Sequence, residues 1–389
     1  MALLHQEVEQ LQVLQATTTT SGTKVETSVH QAASQLWGMT VSLDSVKATA
    51  FLQGSNITTF DSCLGGIQNA IDALNASNSP QATQDISTVA TACTQLEGGT
   101  ALGLVYPYNF PDPDVLLVGS TYYAYSTNAV SGNIQIIQST DLTHWTVVGN
   151  ALPHLPSWAT AFNTWAPSVA FIGGKYDLYY AVDPTGSPTD CISVATASSP
   201  SGPFLDNSAS PLQCQPTLGG SIDPDAFINS DGSVYLLWKS GTTGTAKLWG
   251  QQLDPSGVTF AAGSNPVSIL APDQGWEAGN IEAPDLVDAN GRYLLFYSGN
   301  NWKTANYAVG AAACVSPLGP CSDLSTTPVL GSGIGVSGPG GESVFADTSG
   351  NFWVAFHGWQ PGAVGGSNNR ALYIRSLNLT GVPSVGGPP

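Results

Sequence analysis

Gly279–Ser298 reads GNIEAPDLVDANGRYLLFYS. One acid, Glu282, precedes an apolar run. A polar turn, Asp288–Gly291, follows, and an aromatic stretch, Tyr293–Tyr297, completes the segment. Alternation broken by an Asn/Gly turn predicts a β-hairpin. The chain repeats this pattern: DPDVLLVGSTYYAYS from Asp112, WAPSVAFIGGKYDLYY from Trp165, DPDAFINSDGSVYLLW from Asp223, EAPDLVDANGRYLLFY from Glu282 and GESVFADTSGNFWVAF from Gly341. The aromatic stretches begin at Tyr122, Tyr176, Val234, Tyr293 and Phe352, with spacings of 54, 58, 59 and 59 residues. Repeats of that length, each with room for about four strands, predict propeller blades. A further strand recurs in the same phase, from NIQIIQS at Asn133 to ALYIRSL at Ala371. A β-sandwich explains neither the count nor the constant phase.

The expected fold is therefore mainly β, a five-bladed β-propeller over residues 104–382 preceded by a small α-helical bundle and followed by a short tail, 383–389. Residues 1–100 carry the helical pattern. Leu3, Leu4, Val8, Leu11 and Leu14 follow helical spacing, and further apolar periodicity runs through Lys24–Leu52, Cys63–Leu74 and Ser79–Leu96. Without a tryptophan-lined pocket or clustered carboxylates, this segment reads as a structural or surface-attachment module.

The 389 residues carry a formal net charge of -18 with only nine Lys and Arg. That balance excludes nucleic acid and anionic membranes as partners, since both are bound through clustered cations. No apolar run reaches the length of a membrane span. Met1–His5 lacks the basic and apolar regions of a signal peptide, so the chain reads as a mature form behind a start Met or as a cytosolic protein. The cysteines favour secretion. All six lie outside CxxC pairs and zinc-ligand spacing, and their even number and loop-like surroundings predict local disulfides 63–93, 191–214 and 314–321. A charge-poor, Gly/Thr/Ser-rich surface suits a neutral substrate.

Counting back from the aromatic strands, Asp112 lies 10 residues before Tyr122, and Trp165, Asp223, Glu282 and Gly341 each lie 11 before theirs. Equivalent positions around a pseudo-symmetric axis converge on it, so three carboxylates and a tryptophan are expected to ring one end of the channel. Gathered carboxylates raise at least one pKa, leaving an acid and a base side by side. That is the arrangement glycoside hydrolysis requires. A channel mouth wide enough for water favours the inverting separation of roughly 6.5–9.5 Å. Trp165 offers an apolar floor for a sugar ring. Asp114, Asp225 and Asp285 fall out of this phase and are expected to be turn or supporting residues.

These motifs, with STDLTHW (Ser139–Trp145), CISVATASSPSGPF (Cys191–Phe204) and RALYI (Arg370–Ile374), resemble glycoside hydrolase family 43, the five-bladed arabinofuranosidases, arabinanases and xylosidases. The resemblance spans the whole propeller in family order. It implies that Asp112 is the catalytic base, Glu282 the general acid and Asp223 the residue that orients them and tunes the acid. It also implies that Arg370 stands near the pocket. His357 and Asn301 join Trp165 and Arg370 as candidate substrate contacts. The family's arabinan-cleaving members often carry Gly-His in the fifth blade, where the His helps hold an ion; here the residues are Gly340-Gly341-Glu342. No cofactor is expected to be required, and a channel calcium is in doubt, although Glu342 and His357 offer substitutes. The expectation is a secreted, monomeric inverting glycosidase acting on α-L-arabinofuranosyl linkages in cell-wall arabinan or arabinoxylan. A β-xylosidase or galactofuranosidase is the nearest alternative. A non-catalytic carbohydrate-binding propeller is the alternative of another class, and the presence of all three acids weighs against it.

Overall fold

A computed structural model of the chain describes residues 103–129, 132–187, 189–333 and 335–389. The expected helical bundle and the Cys63–Cys93 pair lie outside the described residues. Strand β1 (Leu104–Tyr106) opens the fold but belongs to its last blade. Blade one is β2 (Asp114–Val118), β3 (Thr121–Ser126), β4 (Gln135–Ser139) and β5 (Thr146–Asn150). Blade two is β6 (Ala159–Ile172), β7 (Lys175–Pro184) and β8 (Cys191–Ala197). Blade three is β9 (Ile222–Ile228), β10 (Val234–Ser240), β11 (Lys247–Gln252) and β12 (Val267–Leu270). Blade four is β13 (Ile281–Asp288), β14 (Tyr293–Gly299), β15 (Ala308–Cys314) and β16 (Cys321–Asp323). Blade five is β17 (Ser337–Ala346), β18 (Phe352–Trp359) and β19 (Arg370–Asn378).

The last blade closes the ring with both ends of the fold. β1 pairs antiparallel with β19 through Leu104 and Tyr373, and β20 (Ser384–Val385) pairs with β19 further along. Residues 383–389 are therefore not a free tail: Ser376 N–H bonds the Gly387 carbonyl at 2.7 Å. Among the described residues blade two has three strands rather than four, extended by isolated bridges from β8, Ile192 to Gln213 and Thr196 to Leu205. The expected disulfides Cys191–Cys214 and Cys314–Cys321 are both present. Among the described residues no helix is long and apolar enough to cross a membrane.

Five apolar cores form, one at each junction between neighbouring blades. Tyr125 and Ile136 meet Leu178 and Tyr180 between blades one and two. Tyr179 and Ile192 meet Leu236 and Trp238 at the next junction, and Leu237 and Phe227 meet Leu295 and Tyr297 at the third. Leu294 and Phe296 meet Val354 and Phe356, and Ala355 and Ile374 meet Val115 and Ala124. Successive side chains of a strand point to opposite faces. A second strand such as β14 thus feeds two cores at once. This is why Tyr293–Tyr297 is apolar throughout instead of alternating with polar residues.

The inner strands β2, β6, β9, β13 and β17 touch one another in a closed circle. Their side chains clasp each neighbour's backbone. Val169 N–H bonds Asp114 Oδ2 at 2.9 Å, Ala226 N–H bonds Ser168 Oγ at 3.1 Å, and Leu286 N–H bonds Asp225 Oδ2 at 3.0 Å. Val344 N–H bonds Asp285 Oδ2 at 2.8 Å, and Val115 N–H bonds Ser343 Oγ at 3.2 Å, completing the circle. Asp114, Asp225 and Asp285 are thus neither turn residues nor stray acids. With Ser168 and Ser343 they are the inter-blade clasps, in a phase of their own.

Burial pushes Asp114 up to about 7 and Glu342 up to about 8, and burial first, then Asp225's charge, raises Asp285. A carboxyl whose folded pKa exceeds its unfolded value binds its proton more tightly when folded. Its stabilising effect is complete below about pH 4 and is lost as pH rises through the folded value. The thermal midpoint is therefore expected to fall as pH rises from about 4 to about 8 and to level off above that. Asp225→Asn, which keeps an acceptor for Leu286 N–H but does not titrate, is expected to flatten that decline. Calorimetric scans across the range check both, and a midpoint that rises with pH contradicts the direction.

Candidate active site

Four of the inner strands carry a bulge where they reach the channel mouth, seen as a register shift at Trp165/Ser168, Ile222/Asp225, Glu282/Asp285 and Gly340/Ser343, and in blade one the corresponding residues lie just before β2. In each blade one residue there takes a left-handed backbone: Asp112 (φ 52), Ala166 (φ 45), Asp223 (φ 53), Ala283 (φ 50) and Gly341 (φ 55). For alanine this conformation costs about 1–2 kcal/mol, so the bulges are held by their surroundings. Bulges re-aim side chains, and here they turn four chain segments toward the axis.

The ladder registers correct the phase read from the sequence. Asp114, Ser168, Asp225, Asp285 and Ser343 pair with Tyr125, Tyr179, Leu237, Phe296 and Ala355, each three residues after the first residue of its aromatic stretch. Two positions earlier stand Asp112, Ala166, Asp223, Ala283 and Gly341. Trp165 and Glu282 are one residue further back. The count from the aromatic strands crossed hairpins that are one residue longer in blades three and five. Asp112, Asp223 and Gly341 are equivalent to one another, whereas Glu282 reaches the axis from the preceding position with its longer side chain.

The acids nonetheless meet. Asp112, Trp165, Asp223, Glu282 and Arg370 line one cavity of about 330 Å³. His357 is buried behind it. Asn301 does not line this cavity but lies in a neighbouring cleft. Trp302, Tyr307 and Thr127 line the cavity and were not singled out from the sequence. Trp302 sits one residue from the candidate Asn301, in a loop outside the repeat.

Asp112 is held from blade five and from its own blade. Its N–H bonds His357 Nδ1 at 3.1 Å, Thr127 Oγ1 donates to its Oδ2 at 2.6 Å, and Arg370 Nη1 lies 3.4 Å from its Oδ1. Burial alone would push the Asp112 carboxyl up, but the Arg370 charge, the His357 ring and the Thr127 hydroxyl together hold it well below the usual carboxylate range. Burial and the Arg370 charge lower His357, while the contact of its Nδ1 with Asp112 Oδ1 at 3.2 Å opposes them. The Arg370 guanidinium also lies 4.4 Å over the Trp302 ring, fixing its plane.

The Gly340-Gly341 pair makes this packing possible. A Cβ on Gly341 would come within 2.6 Å of His357 Nδ1 and 2.8 Å of Asp112 Oδ1, and one on Gly340 would collide with the Tyr307 ring. The side chain missing from the fifth blade is space occupied by His357 and Asp112. Of the residues offered for a channel ion, His357 Nδ1 lies against Asp112, and Glu342 accepts from Ser298 Oγ through Oε2 while its Oε1 is buried without a hydrogen-bond partner.

Across the cavity, Asp223 is pushed up to about 7, by burial first and then by the Glu282 charge. Its Oδ2 accepts Ala283 N–H at 3.0 Å, which ties it to the strand bearing Glu282. Glu282 is aimed by Tyr307 OH, 2.9 Å from Oε1, and by Asn280 Nδ2, 3.1 Å from Oε2. Lys239 Nζ lies 3.6 Å from the same Oε2. This lysine, buried at the end of β10, reads in sequence as an ordinary strand residue (VYLLWKS), and no motif marks it.

The cavity thus joins one carboxylate fixed in its ionised form, Asp112, to a second acid, Asp223, that is raised by burial and by the Glu282 charge beside it. A family model for glycosyl hydrolases family 43 matches residues 104–383. The chain belongs to glycosyl hydrolase family 43. Among the family's characterised members, the extracellular endo-alpha-(1->5)-L-arabinanase 1 of Bacillus subtilis is 27% identical over 254 residues, covering 60% of this chain and 76% of that one. The beta-D-galactofuranosidase xynD of Aspergillus niger is 26% identical over 292 residues, covering 69% and 78%. A thermostable family-43 glycoside hydrolase of known crystal structure superposes with a TM-score of 0.65 at 29% identity, covering 72% of this chain and 93% of that one. The family assignment makes the chain a glycoside hydrolase.

Lys239 is the cation that offsets the Asp223–Glu282 pair. Replacing it by Met removes a charge that favours ionised Asp223. Asp223 is then expected to keep its proton to higher pH, moving the alkaline limb of the kcat/KM profile upward by about one unit. Lys239→Arg is expected to restore the limb. A limb unmoved in Lys239→Met shows that the lysine does not tune the pair.

Proposed function

We propose that the propeller is an inverting glycosidase that cleaves α-L-arabinofuranosyl linkages in arabinan or arabinoxylan-type polysaccharide, with Asp112 as base, Glu282 as general acid and Asp223 tuning that acid. The observation that carries this reading is the opposite treatment of the carboxyls lining one cavity. Asp112 stays ionised beside Arg370, whereas Asp223 and Glu282 share a buried site in which two negative charges repel. Two carboxyl sites pushed in opposite directions provide an acid and a base at one pH.

The chemistry follows from that placement. Asp112 accepts a proton from a water, whose oxygen attacks the anomeric carbon. Glu282 delivers its proton to the glycosidic oxygen as the bond to the leaving sugar breaks. A sugar docked over the pair displaces water, and lower local polarity favours the protonated form of the carboxyl it covers. Tyr307 and Asn280 hold the Glu282 carboxyl in one orientation, so little reorganisation is needed during proton transfer. Trp165 and Trp302 give the sugar ring apolar walls.

The relatives named as arabinanases support arabinan as the substrate, and the galactofuranosidase relative supports a furanose ring more generally. The two disulfides and an extracellular relative support secretion.

Glu282→Gln is expected to lower kcat on arabinan by about 10²–10⁴-fold with the fold intact, and full activity in this variant removes Glu282 from the role of acid. Proton NMR of the first-formed product is expected to show the inverted anomer, whereas retention assigns the second carboxylate a nucleophilic role. A panel of nitrophenyl furanosides and pyranosides with linear and branched arabinan identifies the sugar, the arabinofuranoside being the expected substrate.

A further inference from the structure

Asp112 stands just before blade one and Glu282 stands in blade four, so no strand joins the two. A pair of buried rings does. His357 lies in the second strand of blade five, and Tyr307 lies in the loop that enters β15. Their rings stack with centroids 5.8 Å apart and planes 15° from parallel, within the range at which aromatic pairs attract. One edge of the His357 ring meets the base. Its Nδ1 lies 3.1 Å from Asp112 N and 3.2 Å from Asp112 Oδ1. At the other edge, Arg370 Nη1 lies 3.5 Å from Nε2. The Tyr307 ring ends in the hydroxyl that donates to Glu282 Oε1 at 2.9 Å.

Asp112, His357, Tyr307 and Glu282 thus form an unbroken bridge across the cavity. Both middle members are flat rings, which neither shorten nor bend. Tyr307 has no strand of its own to fix it. Its N–H bonds Thr304 O at 3.3 Å within the 300–307 loop, so the plane of its ring depends on what packs against it. Gly340 leaves room for that ring, and Gly341 leaves room for His357. We infer that His357 is a positioning residue for the acid as well as for the base, and that its stack on Tyr307 sets where the Glu282 carboxyl stands relative to Asp112. The inference rests on the assignment of Asp112 as base and Glu282 as acid.

The consequence is specific. Inversion needs the two carboxyls far enough apart for one water and near enough to serve one bond. Misplacing a reacting group by about 1 Å can cost about 10²-fold in rate. A residue that held only the base would matter equally for every leaving group, because the base acts on water. A residue that also places the acid matters more as the leaving group becomes more basic, because only a basic leaving oxygen needs the proton.

The test reads that dependence. In each variant kcat/KM is measured on phenyl and on 4-nitrophenyl α-L-arabinofuranoside. Their leaving groups are close in size, and phenolate is the more basic. In His357→Ala the ratio of the first to the second is expected to fall about tenfold. His357→Phe keeps a ring against Tyr307 and loses the contact with Asp112, so it is expected to slow both substrates with the ratio within about twofold of wild type. Thr127→Val, which of the two carboxylates touches only Asp112, is expected to do the same. An unchanged ratio in folded His357→Ala overturns the inference, and so does a ratio that falls as far in His357→Phe. If the Ala variant does not fold, His357→Gln, which keeps bulk and polarity without a ring, is read in the same way. Tyr307→Phe removes the hydroxyl from Glu282 and is expected to lower the ratio at least as far. If it does not, the assignment of Glu282 as acid fails, and crystals of His357→Ala decide the stack by themselves. In them the Tyr307 hydroxyl is expected to leave Glu282, and a hydroxyl still 2.9 Å from Oε1 overturns the link. If the panel identifies another sugar, the same two leaving groups on that sugar give the ratio.

Discussion

Five hydrogen bonds run in a circle about the axis, each from a backbone N–H of one inner strand to a side chain of its neighbour. A propeller sheet has no backbone pairing to the next blade, so apolar packing alone would let the blades slide and rock. The clasps fix each inner strand at one height relative to the next. Their donors are buried amides that cost free energy if unmet, so each junction favours a single arrangement. The bulges at the channel mouth start just above this circle, and the geometry of every catalytic side chain inherits its precision from it. The clasps also place Asp114, Asp225 and Asp285 together along the wall of the catalytic cavity, where burial raises all three.

The site itself breaks the fivefold pattern, and the breaks are what make it chemical. Equivalent positions carry Asp112, Asp223 and Gly341, yet Asp112 faces a guanidinium and Asp223 faces another acid. Gly341 contributes only vacant volume, and His357 from the same blade fills it. Glu282 comes from a position one residue earlier than the two aspartates and so approaches the sugar from a different angle. Identical carboxyls in a symmetric ring would share one pKa problem, whereas here Asp112 is lowered and Asp223 is raised.

Much of this was legible in the chain. Spaced aromatic stretches gave the five blades, local cysteines gave two disulfides, and the acids before each stretch do converge on one cavity. The exact phase was not legible, because the count crossed hairpins whose lengths differ by one residue. Lys239 was hidden because a lysine ending an apolar strand looks like an edge residue, and only the fold shows that this strand end points at Glu282. Trp302 and Tyr307 were hidden because they lie in a loop that repeats nowhere else. The roles of Asp114, Asp225 and Asp285 depend on amides more than fifty residues away, a relation that no local pattern carries.

The pairing of β1 with β19 also sets an order of events during synthesis. Leu104 finds Tyr373 only after nearly the whole propeller has been made. Contacts so distant in sequence form late, because the loop they close must first be paid for in entropy. Asp112 is made early, but Arg370 and His357, which hold it ionised, come with the last blade. A growing chain can therefore have its three acids and most of its sheets and still lack a working base. Catalytic competence arrives with ring closure, so turnover itself reports that the ends have met.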